Sequence, residues 1–280
     1  MQNLLETLKK STDFLARKGL PQARREAEHL LAGGLGLKRL DLYLQFERLL
    51  TEAEVVRLRD MVVRRGQREP LQHILGQVEF RDLLLKSDRR ALIPRPETEE
   101  LIDHAEKLFP AEDALRVLDL GTGTGAIALA LASERPHWQV IAIDASLEAL
   151  ALAQENARAL GLSDRVQFSQ SDWFTRVAGE FDLIVSNPPY LTDVEWTTAE
   201  PEVKQFDPLV ALVAANAGLA DLNKILQGAL GHLRSGGWLI CETGIAQHPE
   251  LAALSGSLGY TQSYGLNDMS GRPRFWLAQK

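Results

Sequence analysis

The chain has 280 residues, 45% of them hydrophobic and 25% charged, with a formal net charge of −7; this is enough apolar material for a large core, and it excludes a disordered chain. No window approaches the roughly 18 uninterrupted apolar residues of a membrane-spanning helix, so the expectation is a cytoplasmic protein of one large and one small domain. Cys241 is the only cysteine, which excludes an intramolecular disulfide and a cysteine-built zinc site, and the six histidines form no i, i+4 pair, so no metal site is expected.

Charge divides the chain before any motif does. Residues 1–90 carry 18 basic and 13 acidic side chains, or +5, while residues 91–280 carry −12. The acidic larger part lacks the broad basic surface that a duplex-binding enzyme presents to phosphates.

Residues 3–69 read as short helices. Leu4, Leu5 and Leu8, then Ala27, Leu30 and Leu31, then Val55, Leu58, Met61 and Val62 recur at three and four, and Thr51 is a fitting N-cap ahead of Glu52 and Glu54. At Gly76 the pattern breaks, and QVEF followed by RDLLLKSD reads as two short strands tightly joined. The expected division is a helical bundle over 1–70, a β-hairpin connector over 71–90 and a third region over 91–280.

That third region alternates strand and helix. RVLDLG (116–121), WQVIAID (138–144), RVQFSQSD (165–172), FDLIVSN (181–187) and WLICETG (238–244) are short apolar runs separated by Ala- and Leu-rich helical segments, which predicts an α/β parallel sheet covered on both faces. Cys241, inside WLIC, reads as a core thiol. Ligands of such sheets sit beyond the carboxyl ends of the strands.

The first strand runs into DLGTGTGAIALALA, where Gly121, Gly123 and Gly125, with Thr122 and Thr124 between them, allow a sharp turn and close approach to a ligand at a helix start. The spacing is GxGxG, not the dinucleotide GxGxxG. The second strand ends at Asp144, 19 residues after Gly125, where a carboxylate can accept both hydroxyls of a ribose. Asp172 and Trp173, at the third strand end, suit an adenine by hydrogen bond and ring contact; a core tryptophan is the other reading. To this point NAD and S-adenosylmethionine both remain open.

The fourth strand separates them. In SNPPY, two prolines hold Asn187 extended at the strand tip, so its side-chain oxygen and the Pro188 carbonyl present two acceptors in a rigid frame. An acceptor pair suits a planar NH2 group, whose delocalised lone pair must be oriented before it can attack and whose developing positive charge must be stabilised. Pro189 completes the turn, and Tyr190 is placed to cover the flat face of the group and exclude water.

With NPPY after the fourth strand of a glycine-loop α/β domain, the chain resembles the class I methyltransferases of planar NH2 nitrogens. REPLQHILGQVEF (68–80), LIPRPETEELI (92–102), VLDLGTGTGAIALALA (117–132), SNPPY and DMSGRPRF (268–275) together resemble the peptide chain release factor glutamine methyltransferases over nearly the whole chain. The resemblance implies a Rossmann-like class I methyltransferase sheet of seven strands preceded by a small helical domain. It also implies S-adenosylmethionine as cofactor and the glutamine of the release factors' Gly-Gly-Gln loop as methyl acceptor. Gly121–Gly125 would then face the methionine portion, Asp144 the ribose, Trp173 the adenine end, and Asn187, Pro188, Pro189 and Tyr190 the acceptor. Asp207-Pro208 stands where that family often carries Glu-Pro. The acids of PRPETE, Glu97, Glu99 and Glu100, suit a helix N-terminus behind Pro96, and the resemblance suggests a wall of the acceptor pocket.

Three other readings exist. A nucleic-acid amino-methyltransferase would need base flipping and a basic channel, and no segment interleaves Arg or Lys with aromatics. A ribosomal protein glutamine methyltransferase is closer in chemistry, but its corresponding stretches differ from LIPRPETE and GTGTG. Intact NPPY speaks against a noncatalytic cofactor-binding module.

Overall fold

The computed structural model describes residues 2–280 and divides into two compact units, one taking in the chain through Gln77 together with Glu200–Phe206, the other Val78–Ala199 with Asp207–Lys280. The first contains α1 (Leu4–Arg17), α2 (Ala23–Leu35), α3 (Arg39–Leu44), α4 (Glu52–Gly66) and α5 (Leu71–Leu75). Its helices form where the sequence marks them. Thr51 caps α4 by accepting from the Glu54 N–H while the Glu54 carboxylate accepts from the Thr51 N–H, satisfying donors at the helix start. Leu4, Leu8, Leu30, Leu31, Leu58, Met61 and Val62 meet in one core, whereas Leu5 and Val55 are only half buried at its margin.

Two charged side chains are buried in this unit: Glu28, which accepts from Arg24, Arg39 and the Tyr43 hydroxyl, and Arg65. The Arg65 side chain is 8% exposed and is satisfied by Glu26 (Nε to Oε2, 2.7 Å) and by Glu202 (Nη2 to Oε1, 3.1 Å), which stands in the short helix Pro201–Phe206. This two-carboxylate clamp, with Arg68 also donating to Glu202, holds a segment far away in sequence on the helical core.

The second unit begins with a hairpin, β1 (Gln77–Phe80) and β2 (Leu83–Lys86), turned at Arg81. Val78, Phe80 and Leu85 enter the core of the larger unit, and Arg81 binds Glu134 and Asp103, so the region expected as a connector is divided: α5 packs with the helices, the hairpin with the sheet.

The remaining elements follow in chain order: α6 (Pro96–Lys107), β3 (Arg116–Leu120), α7 (Ala126–Glu134), β4 (Gln139–Asp144), α8 (Leu147–Ala159), β5 (Val166–Gln170), β6 (Phe181–Ser186), α9 (Asp193–Thr198), α10 (Pro201–Phe206, the segment that belongs to the helical unit), α11 (Ala220–His232), β7 (Leu233–Glu242), α12 (His248–Leu258), β8 (Gln262–Asn267) and β9 (Pro273–Gln279). Seven strands pair in the order β5-β4-β3-β6-β7-β9-β8, parallel from β5 to β7, with β9 antiparallel to both β7 and β8. Both faces are buried, and the period of two shows directly. Val117, Leu183, Val185, Ile240 and Leu277 pack on one side with α6 and α7; Leu118, Ile184, Leu239, Cys241 and Trp276 pack on the other with α11 and α12. Helix α7 lies so deep that every residue from Ala126 to Ala132 is buried. No helix among the described residues is long and apolar enough to cross a membrane.

Register sets the strand tips level. Leu120 stands opposite Ile143 on β4 and Ser186 on β6, and Ser186 stands opposite Cys241 on β7. The next residues, Gly121, Asp144, Asn187 and Glu242, therefore form a row along the carboxyl edge.

Removing one partner from a buried ion pair leaves the others desolvated and uncompensated, which costs about 3–5 kcal/mol in fully buried cases. Arg65→Ala is expected to destabilise the helical unit and to raise amide hydrogen exchange in Pro201–Phe206 by at least tenfold, with sheet amides unchanged; unaltered exchange in that helix would show that the clamp does not hold it.

Candidate active site

A cavity of about 350 Å3 opens at the carboxyl ends of β3, β4, β5 and β6. Its floor is the glycine loop. Gly121, Gly123 and Gly125 all have positive φ, and Gly121 N–H and Thr122 N–H both donate to the Ile143 carbonyl at 2.9 Å, bending the chain across the tip of β4. Gly125 caps the start of α7 with φ +85°, a conformation that favours glycine, and an added Cβ would sit a tight 3.2 Å from the Ala153 Cβ on α8. Asn156 of α8 donates to the Thr124 carbonyl (2.9 Å) and also bonds the Lys86 backbone, which fixes the loop to the hairpin.

Asp144 ends β4 on the cavity wall. Oδ2 accepts from Gly123 N–H and Oδ1 from Ser146 N–H, each at 2.9 Å, while Ser146 caps α8 with its hydroxyl. Those two bonds fix the carboxylate plane and leave each oxygen a lone pair for a ligand hydroxyl. Burial raises its pKa, opposed by the backbone donors. On β3, Asp119 accepts from Thr122 Oγ1 at 2.6 Å and is fully buried; burial pushes its pKa up to about 7.

Strand β5 stops at Gln170, two residues short of the expected end, because Ser171, Asp172 and Trp173 leave the ladder to line the cavity. Trp173 opens a 3-10 turn with φ +45°, a strained conformation for a large side chain. Ser171 Oγ donates to its carbonyl (2.7 Å) and its indole N–H donates to Asp221 (3.2 Å), so the ring is held beside Gly121. Ring, glycine backbone and strand-tip carboxylate make a set that fits a nucleoside.

Just past β6, Asn187 and Pro189 line the same cavity, the Pro188 ring is buried, and Tyr190 is not part of the wall. The tyrosine points inward instead. Its hydroxyl donates to Glu242 Oε1 at 2.7 Å and accepts from Arg274 Nη1 at 3.2 Å; burial, then the adjacent carboxylate, hold the phenol well above its usual pKa. Glu242 Oε2 accepts from Thr98 Oγ1 (2.7 Å), and Thr98 in turn accepts from Asn187 Nδ2 (3.0 Å). Burial raises the Glu242 pKa, opposed by Thr98, Tyr190 and Arg274.

The PRPETE acids do not join the wall. Pro96 starts α6, Glu99 accepts from Arg81 N–H and Glu100 from Met269 N–H, whereas Arg95 and Thr98 from the same stretch do line the cavity. Sequence reasoning passed over Thr98 and Glu242. The one available clue for Glu242 was an acid closing an apolar strand level with NPPY. It also left the Asp207-Pro208 loop without a role: Asp207, its side chain 1% exposed, pairs with Arg95 at 2.6 Å and so sets Pro208 on the cavity rim.

Comparison with known proteins follows the same division. Residues 6–76 match the family model "PrmC N-terminal domain" and residues 98–203 the model "Methyltransferase small domain". The chain is 39% identical over 262 residues to the release factor glutamine methyltransferase of Geobacter sulfurreducens, covering 93% of this chain and 91% of that one. It is 44% identical over 225 residues to that of Escherichia coli K12, covering 80% of each. Among solved structures, the hMettl16 catalytic domain in complex with a MAT2A 3'UTR hairpin superposes with a TM-score of 0.59 at 20% identity, covering 81% of each chain, a likeness of fold.

A carboxyl with a folded pKa near 7 and an unfolded pKa near 4 binds more protons when folded, so its contribution to stability falls as pH rises between those values. Asp119→Asn keeps an acceptor for Thr122 and removes that loss. Between pH 5 and pH 8 the variant is expected to gain on the parent by on the order of 2–3 kcal/mol in denaturant unfolding. Parallel pH profiles would refute a buried, titrating Asp119.

Proposed function

The chain belongs to the release factor glutamine methyltransferase family, a protein-(glutamine-N5) methyltransferase family that uses S-adenosylmethionine, and from that premise we propose how its residues divide the work. The acceptor is the side-chain amide of the glutamine in the release factors' Gly-Gly-Gln loop. The observation that carries this reading is the Asn187 amide: it lines the cavity, its NH2 is committed to Thr98, and its oxygen is thereby left as an acceptor for a planar NH2 group.

Bound in this cavity, S-adenosylmethionine supplies an electrophilic methyl on a positively charged sulfur. Gly121, Thr122, Gly123, Thr124 and Gly125 receive its methionine portion, Asp144 accepts the ribose hydroxyls, and Trp173 meets the adenine end. The strained Trp173 backbone and the doubly fixed Asp144 support preorganised contacts. Asn187 Oδ1 and the Pro188 carbonyl accept from the glutamine NH2, turning the nitrogen lone pair toward the methyl and stabilising the positive charge that would grow on nitrogen as the N–C bond formed and the methyl–sulfur bond broke, its electron pair staying on a then neutral thioether. One N–H proton would pass from nitrogen to solvent. Pro189 walls the site against water, and Tyr190 supports the turn from behind through its hydroxyl bond to Glu242.

The helical unit, residues 1–70 with its basic excess, recognises the body of the release factor, because a three-residue loop offers far less than the about 1,200–2,000 Å2 that a specific complex buries. Nucleic acid is not the substrate, for want of a basic channel with stacking aromatics. The working compartment is the cytoplasm.

Two substitutions separate the roles. Asn187→Ala is expected to lower turnover on release factor by about 100- to 1,000-fold while leaving cofactor affinity nearly unchanged. Asp144→Ala is expected to weaken S-adenosylmethionine binding by roughly one to two decades in calorimetry, the worth of a charge-assisted hydrogen bond. Near-normal turnover in the first, or unchanged binding in the second, would reject the corresponding assignment.

A further inference from the structure

We propose that Thr98 and Glu242 are positioning residues for methyl transfer: acting together, they decide which end of the Asn187 amide faces the cavity. The inference rests on the reading of Asn187 as the acceptor clamp and adds what makes that clamp point the right way.

An asparagine amide has two ends of nearly equal size and opposite hydrogen-bonding character, so shape alone cannot choose between them. In one orientation an oxygen meets the substrate NH2. In the other, two NH2 groups oppose each other and neither has an acceptor.

The structure fixes the choice from behind. A hydroxyl has one proton, and Thr98 Oγ1 gives its proton to Glu242 Oε2 at 2.7 Å. Toward Asn187 it can therefore only accept, and it accepts Nδ2 at 3.0 Å. Glu242 is 1% exposed, and both its oxygens act as acceptors, since Tyr190 Oη donates to Oε1 at 2.7 Å. Tyr190 must donate there, because its own lone pair is taken by Arg274 Nη1, a group that can only donate. Every proton in the line Arg274, Tyr190, Glu242, Thr98, Asn187 is thus directed by a guanidinium at one end and a carboxylate in the middle. Such a network is well defined only when each member is satisfied.

Position in the fold makes the arrangement specific to the strand tips. Glu242 is one residue past the pair Ser186 and Cys241, level with Asn187 on the neighbouring strand. Thr98 comes from the first turn of α6 and is 3% exposed. This gives the PRPETE stretch a use that its acids do not supply.

Two substitutions at residue 98 distinguish orientation from packing. Thr98→Val keeps the volume and removes the hydroxyl; Thr98→Ser keeps the hydroxyl and removes a methyl. Turnover on intact release factor, the KM for release factor and the Kd of S-adenosylmethionine are measured for both, for Glu242→Gln, and for Asn187→Ala. Thr98→Val is expected to lower kcat roughly 10- to 100-fold, the worth of one buried donor left without its acceptor, with the cofactor Kd within about twofold of the parent. Thr98→Ser is expected to retain kcat within about threefold. Glu242→Gln is expected to fall with Thr98→Val, because its NH2 must face a hydroxyl that donates to Glu242 in the parent; facing Thr98 it donates instead, and the freed Thr98 proton turns toward Asn187 and favours the flipped amide.

If Thr98→Val keeps kcat within threefold while Asn187→Ala is inactive, orientation through Thr98 is overturned and the clamp stands. If Thr98→Ser falls as far as Thr98→Val, or cofactor affinity falls in step with kcat, the role is packing and the proposal fails. If Asn187→Ala itself keeps near-normal turnover, the clamp reading fails and the positioning role fails with it.

Discussion

Parallel pairing of β3 with β4 on one side and β6 on the other fixes the height of every group around the cavity. Because Leu120, Ile143, Ser186 and Cys241 lie in register, the chain delivers a glycine, an aspartate, an asparagine and a glutamate to one row along the sheet edge. A one-residue slip in any of these pairs would turn that strand's side chains to the opposite face. The alternating burial of Val117 and Leu118, or of Leu183 and Ile184, resists such a slip, since each face packs against its own helices. Core hydrophobicity thereby sets the spacing of polar chemistry some distance from it.

At the edge the backbone itself does much of the binding work. The glycine loop gives two N–H groups to one carbonyl of β4 and a third to Asp144, so the loop and the carboxylate position each other. Burial raises the Asp144 pKa, and the backbone amides that hold its oxygens oppose that rise. Asp119, with a single short side-chain bond and no exposure, is pushed up to about 7 by burial.

Several buried ionic groups are answered by partners. Glu242 receives two hydroxyl donors with Arg274 nearby, Asp207 receives Arg95, and in the helical unit Arg65 receives two carboxylates. A buried pair of this kind adds little net stability against an apolar substitute, yet it penalises alternative arrangements heavily. At this site the arrangement is what matters, because Arg95 and Thr98 belong to one short stretch and carry the Asp207-Pro208 loop and the Asn187 amide respectively.

Local pattern was sufficient for much of this protein. Short apolar runs marked the five central strands and apolar spacing of three and four the N-terminal helices, turn chemistry determined the glycine loop and the proline-locked tip at Asn187, and capping preferences placed α4 and α6. Each depends on neighbours within a few residues, which is what a sequence displays. The end of β5 at Gln170 was not legible, because Trp173 leaves the strand to meet Asp221, 48 residues later. Nor was the inward turn of Tyr190, which follows from a carboxylate 52 residues away. The hairpin looked like a connector because nothing local reveals that Phe80 and Leu85 fill the core of the α/β unit. Sequence by itself determined which groups stand at the strand tips; only tertiary structure decided which way they point, because orientation is set by hydrogen-bond partners that strand register and helix packing bring together from distant parts of the chain.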